Sequence, residues 1–306
     1  MNAREWLAGT AGDAEPADLV LLGAPIAKAS ISRVESWSTP PAFREALGRF
    51  PTWDAGHDVD LTRLRVRDLG DLAGDRHDRD ARAAHDRIRA ASEAASRSGA
   101  GVFVVGGDNS LTRPAMLGVM AAAPDIAWGL VTVDAHHDCR PSTGGSRNGT
   151  PVRELIEAGL AGDRVAQIGI HPLGNAREHA QWAAAQGIHV FPLAAVRSDG
   201  IGAVVASAVS VLRAAGAQRF YVDFDIDVVD RAFAPACPAS LPGGFRPDEV
   251  LDAAFLLGAD AGVAAADLTE VDANADVNGM TVRLMAATFL NFCAGVATRA
   301  HGSSPP

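Results

Sequence analysis

The chain repeats one pattern, in which a short apolar segment is followed by a polar cluster and then by a helical stretch. Three of these apolar segments are residues 102–105, 126–133 and 220–224. The clusters that follow them are Gly106-Gly107-Asp108-Asn109-Ser110, Asp134-Ala135-His136-His137-Asp138 and Asp225-Ile226-Asp227. Short apolar runs of this kind are typical of buried parallel strands, whose carboxyl ends meet at one edge of an open α/β sheet. The sequence therefore predicts that all three clusters lie together at that edge.

The alternation of strands and helices continues along the chain. We predict further strands at 19–22, 165–170, 189–191 and 263–268. We predict helices at 41–47, 81–98, 151–158, 176–186, 201–215, 248–257 and 281–297, and one with Pro114 in its first turn that ends near residue 122. Strands separated by such helices indicate an α/β fold, a three-layer αβα sandwich with a mostly parallel sheet. No linker interrupts the pattern, so we expect one domain over residues 1–306, with a disordered tail at 302–306.

Charge and cysteine content narrow the classes of function. The 27 Lys and Arg against 37 Asp and Glu give a net charge of −10, which argues against nucleic acid or an anionic membrane as a partner. The three cysteines are widely spaced and odd in number, which fits a reducing cytoplasm and no disulfide framework. The start of the chain lacks the pattern of a signal peptide, and no apolar run is long enough to span a membrane. We therefore expect a cytoplasmic protein that acts on a small molecule.

The polar clusters have the composition of a metal site. On an extended segment, Asp-x-Asp and Asp-x-His spacing places both side chains on one face. Several carboxylates and an imidazole at one sheet edge repel one another unless a cation joins them. Oxygen-rich ligands with a single His suit Mn²⁺ better than they suit Zn²⁺, which closed Cys/His sites bind. The expected ligands from this pattern are Asp134, His136, Asp138, Asp225 and Asp227.

Five sequence blocks resemble one family. GGDNS (106–110), VDAHHD (133–138), DFDIDVVDRAFAP (223–235) and LTEVD (268–272) follow in the order of the ureohydrolase family of arginases, agmatinases and formimidoylglutamases. A further block, SRNGTPVR (146–153), resembles the S-x-NGTP-x-R stretch of the formimidoylglutamases. The resemblance spans roughly 260 residues, and it implies an arginase-like fold, a metal-dependent hydrolase acting on linear amidines, and a homo-oligomer.

The resemblance also assigns metal ligands. Asp134 and Asp225 are expected to bridge two Mn²⁺ ions, His136 and Asp227 to complete one of them, and Asp138 to belong to the other. Asn109 stands where the family usually has a His that binds this other metal. An amide oxygen is a weaker ligand than an imidazole, so this site is expected to be weak or exchangeable. Alternatively, Asn109 only caps the following helix.

The block at 146–153 implies the substrate. Asn148 replaces a His that assists proton transfer in arginases and agmatinases, and an amide is neither a general acid nor a general base near neutral pH. The formimidoylglutamase pattern implies N-formimidoyl-L-glutamate as substrate, with L-glutamate and formamide as products. Asn148 is expected to contact the substrate. Arg147 and Arg153, with Arg140 as a third candidate, are expected to bind the substrate carboxylates, unless they are solvated surface residues. A guanidino hydrolase that releases urea and an inactive family member are the alternatives.

Glu270 and Asp138 are the candidate catalytic side chains. Glu270 matches the family Glu that pairs with the cationic amidine; otherwise it is an ordinary exposed carboxylate. Asp138 is the expected carrier of the proton that the departing amine needs. His137 points away from the ligands and is expected to pack behind them. The six histidines outside the motifs are interpreted as surface or hydrogen-bonded core residues: His57, His77, His85, His171, His179 and His189.

Overall fold

The computed structural model describes residues 1–9 and 16–299. Its helices are α1 (Ala3–Gly9), α2 (Thr39–Ala46), α3 (Arg82–Arg97), α4 (Thr112–Ala122), α5 (Pro151–Glu157), α6 (Arg177–Ala185), α7 (Leu193–Asp199), α8 (Ile201–Ala214), α9 (Pro247–Ala259) and α10 (Met280–Arg299). Its strands are β1 (Leu19–Ala24), β2 (Trp53–Asp54), β3 (Val59–Asp60), β4 (Val66–Asp71), β5 (Gly101–Gly106), β6 (Trp128–Val133), β7 (Val165–Ile170), β8 (His189–Pro192), β9 (Arg219–Asp225) and β10 (Val263–Thr269). The predicted tail at 302–306 lies outside the described residues, and the single domain stays a prediction.

One sheet of eight parallel strands runs through the molecule in the order β4-β1-β5-β10-β9-β6-β7-β8. Strands β2 and β3 form a separate antiparallel ribbon. The four strands β5, β10, β9 and β6 are neighbours in space although they are far apart in the chain. Each of them ends at one of the polar clusters that the sequence singles out. Their order in the sheet brings those clusters to one place.

Helices cover both faces of the sheet, as the alternation of side chains along the strands requires. On β5, Phe103 and Val105 join a core with α2, α8, α9 and α10, whereas Val102 and Val104 face α3 and α4. Because helices cover both faces of the sheet, the side chains on both sides of these strands are buried. The strands therefore consist of almost continuous apolar sequence. This arrangement confirms the predicted three-layer αβα sandwich.

The elements predicted from the sequence occur with ends within two residues of the expected positions, and the described residues contain five further helices and strands: the short ribbon strands β2 and β3, strand β4, and helices α1 and α7. Strand β4 lies at the edge of the sheet and is half-exposed, so its residues Arg67, Asp68 and Asp71 lack an apolar pattern. Helix α1 has seven residues, yet Asn2 and Glu5 exchange side-chain to backbone hydrogen bonds that cap its first turn. Helix α7 is a seven-residue helix directly before α8.

Helix α10 has the length and apolar composition of a membrane span, and the bent pair α7 and α8 passes the same test as one unit. However, 72% of the most apolar window of α10 is buried inside the fold. Its Met285, Phe289 and Phe292 belong to the core beneath the sheet. Helix α10 thus packs as a core helix does.

The aromatic contacts of Phe103 give a test of this core. Its ring meets Phe289 and Phe292 edge to face, with centroids 4.9 Å and 5.1 Å apart. Phe103→Ala leaves a cavity between β5 and α10, and we expect it to lower the free energy of unfolding by about 3–5 kcal/mol. Denaturant unfolding measures the change, with Phe233→Ala as control because the Phe233 side chain is 43% exposed. Equal losses in both variants would contradict this assignment of the core.

Candidate active site

Four strand ends supply the site. Asp134, His136 and Asp138 follow β6, Asp225 ends β9 and Asp227 follows it. Asn109 follows β5, and Glu270 follows β10. Gly107 allows the turn after β5, because a Cβ there would lie 1.7 Å from the carbonyl oxygen of Ile26. The sequence clusters therefore meet where parallel strands end, as predicted.

Two overlapping groups of side chains can each hold a metal ion. One consists of Asp134, His136 and Asp227, and the other of Asp134, Asp138 and Asp225; within each group the ligand atoms lie within 4.8 Å of one another. Asp134 belongs to both groups, which suits a bridging ligand. Asp225, the second expected bridge, belongs to the second group. Backbone N–H groups fix these carboxylates, since His136 donates to Asp134 over 2.6 Å and Asp227 to Asp225 over 2.8 Å.

The carboxylates of the site repel one another. Burial and then the charges of neighbouring aspartates raise the pKa values of Asp134 and Asp225 well above the ordinary range. The Oδ2 atom of Asp134 is buried without a hydrogen-bond partner among the described residues. An unpartnered buried carboxylate oxygen facing other carboxylates is unfavourable unless a cation binds it. The donor set thus fits a divalent cation with oxygen ligands and one imidazole.

His136 is already bound to one of the acidic groups. Its Nδ1 lies 2.7 Å from Oδ2 of Asp227. Burial opposes protonation of the imidazole, but the charge and hydrogen bond of Asp227 outweigh it and raise the pKa of His136 to about 10. A metal ion binds a neutral imidazole, so a cation entering here displaces a proton from His136.

The amide of Asn109 forms hydrogen bonds through both its oxygen and its nitrogen. Its Oδ1 accepts hydrogen bonds from the hydroxyls of Thr112 (2.7 Å) and Thr269 (3.1 Å). Its Nδ2 donates to Oδ2 of Asp138 over 2.8 Å. The two hydroxyl donors fix the amide orientation, and an amide NH₂ cannot coordinate a metal. In this arrangement Asn109 orients Asp138, and its role as a metal ligand stays a prediction. No backbone N–H of α4 donates to its side chain.

Glu270 is held by both asparagines. Its Oε1 accepts from the backbone N–H of Asn109 (2.8 Å) and from Nδ2 of Asn148 (3.0 Å). Glu270 is 4% exposed, so it is not an ordinary surface carboxylate, and burial is the main cause that raises its pKa to about 8. Glu270 and Asp138 both have positive φ angles, 65° and 50°. For a glutamate this conformation costs free energy, and such strain concentrates at functional sites.

A cleft of about 140 Å³ opens onto the metal groups. Its walls include His136, Asp138, Asp225 and Asp227 on one side, and Ile31, Ser32, Arg140, Asn148, Gly149, Gly174, Asn175, His179 and Ala239 on the others. Arg140 is the only guanidinium among these described lining residues. Asn148 also lines the cleft, as predicted, with its Oδ1 accepting from the backbone of Ile31.

Arg147 and Arg153, the favoured carboxylate partners, lie away from this cleft. Arg153 donates to Glu157 over 2.9 Å, and its guanidinium lies 4.8 Å from the Trp182 ring. Arg147 lines a different cavity, described below. Both residues are near Asn148 in the sequence, but the turn at 148–150 and the start of α5 direct their side chains away from the cleft. Arg140 lines the cleft and these two arginines do not, so their binding of the substrate stays a prediction without support from the cleft geometry.

The sequence also missed two residues of the cleft. His179 lies in the first turn of α6 and lines the cleft, although it had been interpreted as a surface or core histidine. Asn175 accepts from the backbone of His137 and donates to the carbonyl of Ala135, which fixes the loop after β6. Neither residue belongs to a motif with metal spacing. His137 packs behind the site as expected, with Nδ1 2.7 Å from Oε1 of Gln167.

A parallel α/β sheet with a buried Asp/His cluster at its carboxyl edge, beside an open cleft, defines a metal-dependent hydrolase of the arginase-like type. The sequence matches the Arginase family over residues 17–294, and the chain belongs to that family.

Several relatives share most of their length with this chain. It is 35% identical to the formimidoylglutamase of Halalkalibacterium halodurans, covering 92% of this chain and 88% of that protein. It is also 35% identical to the formimidoylglutamase of Halobacterium salinarum, covering 94% and 90%. The crystal structure of Bacillus subtilis formimidoylglutamase superposes with a TM-score of 0.87 at 27% identity, covering 94% of this chain and 89% of that one. Formiminoglutamase from Trypanosoma cruzi with a pair of Mn²⁺ ions superposes with a TM-score of 0.86 at 26% identity, covering 96% and 98%.

The role of Asn109 gives a prediction about metal affinity. Asn109→His offers an imidazole where the amide only orients Asp138, so we expect the metal held by Asp134, Asp138 and Asp225 to bind more tightly. The control is Asn109→Leu, which removes the same hydrogen bonds but offers no ligand and should weaken that metal. Titration of the metal-free protein with Mn²⁺, followed by calorimetry, measures both sites. Two equally tight sites in the unmodified protein, or no gain in Asn109→His, would contradict the prediction.

Proposed function

We propose that this protein hydrolyses N-formimidoyl-L-glutamate to L-glutamate and formamide. The observation that carries the proposal is the composition of the cleft, in which a carboxylate metal cluster faces an amide, Asn148, and a guanidinium, Arg140. The carboxylate cluster suits a planar cationic amidine, and the guanidinium of Arg140 suits an acidic tail. The similarity to several formimidoylglutamases over most of the chain supports the same conclusion.

Two Mn²⁺ ions are the proposed cofactor. The residues that would hold them are Asp134, His136, Asp138, Asp225 and Asp227. When bound, such cations lower the pKa of a water molecule and so supply a strong nucleophile at neutral pH. The T. cruzi structure with Mn²⁺ supports this choice of metal.

Glu270 would bind the cationic end of the substrate. Asn109 and Asn148 occupy its Oε1, and its Oε2 has no hydrogen-bond partner among the described residues. An amidinium close to this oxygen would stabilise the charged carboxylate and lower the pKa of Glu270 from about 8. The hydrogen bond from Asn148, which lines the cleft, fixes the orientation of the Glu270 carboxylate. Glu270 and Asn148 thus position the formimidoyl carbon beside the metal ligands.

Asp138 would deliver the proton to the departing amine. It lines the cleft beside Asn148 and Arg140, so its carboxylate can reach a bound substrate. In the metal-free protein, burial is the main cause that raises its pKa to about 7. The hydrogen bond from Nδ2 of Asn109 fixes the Oδ2 atom of Asp138, and the Oδ1 atom of Asp138 does not take part in this hydrogen bond. Asp138 would thus carry out the proton transfer that Asn148 cannot perform, because Asn148 has no titratable group.

Arg140 would bind a carboxylate of the glutamate tail. It extends from the end of the metal-binding loop, its side chain reaches the cleft wall, and Gly149 packs directly against it. A planar guanidinium forms two parallel hydrogen bonds to a carboxylate, which fixes the tail as well as attracting it. Arg140 therefore favours an acidic amidine over the cationic tail of agmatine.

Location and assembly are also proposals. We propose a cytoplasmic enzyme, supported by three buried cysteines, Cys139, Cys237 and Cys293, that remain free thiols. We propose a homo-oligomer, as the family resemblance implies. The substrate and metal are small, so nucleic acid and membrane are not needed as partners.

A panel of substrates tests the reaction. The Mn²⁺-loaded protein is incubated with N-formimidoyl-L-glutamate, arginine, agmatine and guanidinobutyrate, and formamide and urea are assayed. We expect formamide from the first compound and little or no urea from the others. Urea from agmatine as the main product would identify a guanidino hydrolase. No product from any compound, with Mn²⁺ bound, would identify an inactive member of the family.

Arg140→Gln tests the selection of the acidic tail. A lost charge-assisted hydrogen bond costs about 1.5–3 kcal/mol, so we expect kcat/KM for N-formimidoyl-L-glutamate to fall roughly ten- to a hundredfold, mainly through KM. An N-alkylformamidine without a charged tail should be hydrolysed equally well by both proteins. Arg153→Gln is the matched comparison, because Arg153 is bound to Glu157 and Trp182. A larger loss in Arg153→Gln than in Arg140→Gln would reverse the assignment.

A further inference from the structure

A second polar cavity lies beside the active site. It has a volume of about 770 Å³ and is formed by the segment before α3, the first turns of α3 and α4, the loop at 144–147 and the loop after β1. None of its lining residues lines the catalytic cleft. The two spaces meet consecutive residues of one loop, since Arg147 lines the cavity and Asn148 lines the cleft. The cavity is therefore distinct from the site described above.

The walls of this cavity are predominantly basic. The cationic side chains are Lys28, Arg79, Arg82, Arg113 and Arg147, and the carboxylates are Asp80, Asp86 and Glu154. Glu154 is neutralised within the wall, because its Oε2 lies 2.9 Å from Nε of Arg113. His85 adds no charge, since burial and then Arg113 lower its pKa to about 4. Four cations thus face two carboxylates.

Three of these cations have no counter-ion. Arg79, Arg82 and Arg147 form no ion pair and no side-chain hydrogen bond to any other residue in the part of the chain that the structure describes. Lys28 donates to a backbone carbonyl, that of Asp78, so its charge is also not paired with a carboxylate. In contrast, other arginines on this surface do have partners; Arg87, for example, lies 2.7 Å from Asp78. The three arginines are exposed, and they line the same cavity as the carboxylates of Asp80 and Asp86.

The backbone adds to the positive potential. Helix α3 has 16 residues and begins at Arg82, and its N-terminal residue Ala81 has no side chain that can cap the first turn. Ala81 and Arg82 both line the cavity. The Asp80 carboxylate accepts the N–H of Arg82 over 3.0 Å but cannot satisfy the whole turn. The positive end of the helix dipole therefore points toward the same space as the guanidinium groups.

We propose that this cavity binds a small oxyanion with two negative charges, either a dicarboxylate or a tetrahedral inorganic anion. Guanidinium groups pair with the oxygens of both through parallel hydrogen bonds, and a dianion balances the excess of positive charge on the walls. Arg79, Arg82 and Arg147 are the proposed ligands, with the first turn of α3 as a further donor. This site is independent of the proposed reaction, because its residues are not those of the cleft.

Calorimetric titration of the metal-loaded protein tests the proposal, with sulfate and succinate as separate probes at constant ionic strength. We expect saturable binding of at least one probe, and the stronger of the two identifies the tetrahedral or the dicarboxylate class. Arg79→Gln and Arg82→Gln should each weaken that binding roughly tenfold or more, as the loss of a charge-assisted hydrogen bond requires. Arg89→Gln is the matched control, because Arg89 lies on the same helix α3, is exposed and does not line the cavity.

A second control separates the cavity from the catalytic cleft. Arg140→Gln removes the guanidinium of the cleft and should leave this binding unchanged. The proposal is overturned if neither probe saturates the protein, if Arg89→Gln weakens binding as much as Arg82→Gln, or if binding is lost in Arg140→Gln and kept in Arg82→Gln. None of these outcomes depends on hydrolytic activity, so failure of the proposed reaction would not affect the test.

Discussion

Mutual repulsion among buried carboxylates is the constraint on which the rest of the site depends. Asp134, Asp225 and Asp138 lie at the ends of neighbouring strands and are almost entirely buried. Removing charged groups from water is expensive, and placing several of one sign together adds to that cost. Among the described residues, His136 compensates part of this charge, since its Nδ1 lies 2.7 Å from Asp227 and 3.7 Å from Asp134. A bound cation is the simplest compensation for the remainder, so the fold at this edge and metal binding are linked.

The hydrogen bonds around the cluster preserve its geometry against that repulsion. Backbone N–H groups of Ala135, His136 and Asp227 each donate to a ligand carboxylate of the cluster. Asn175 donates to the carbonyl of Ala135 and Gln167 to the carbonyl of His137, and these hydrogen bonds fix the backbone of the loop after β6. Such outer contacts fix the direction of each ligand atom before a metal arrives. The parallel sheet provides the rigid base on which these loops are mounted.

The sequence predicted the elements and the metal cluster well because both depend on local patterns. Apolar runs followed by Asp and His identify a strand and its carboxyl end regardless of what surrounds them. The order of strands in the sheet is a tertiary property, and no local pattern indicates that β10 inserts between β5 and β9. The roles of Arg140, Arg147 and Arg153 follow from side-chain direction at a turn, which spacing does not specify. His179 reaches the cleft only because α6 packs beside the loop after β6, so its sequence context gave no indication.

The two asparagines show how a change of side chain alters the chemistry without altering the fold. Asn148 and the backbone of Asn109 both donate to the same oxygen of Glu270. An imidazole at position 148 could also exchange a proton there, whereas an amide can only donate or accept hydrogen bonds. Substitution by asparagine therefore removes a titrating group and keeps a fixed donor, which leaves proton exchange to the carboxylates that remain. In the proposed reaction that task falls on Asp138, whose side chain is oriented by Asn109. Each amide thus orients one carboxylate, since Asn148 donates to Glu270 and Asn109 donates to Asp138.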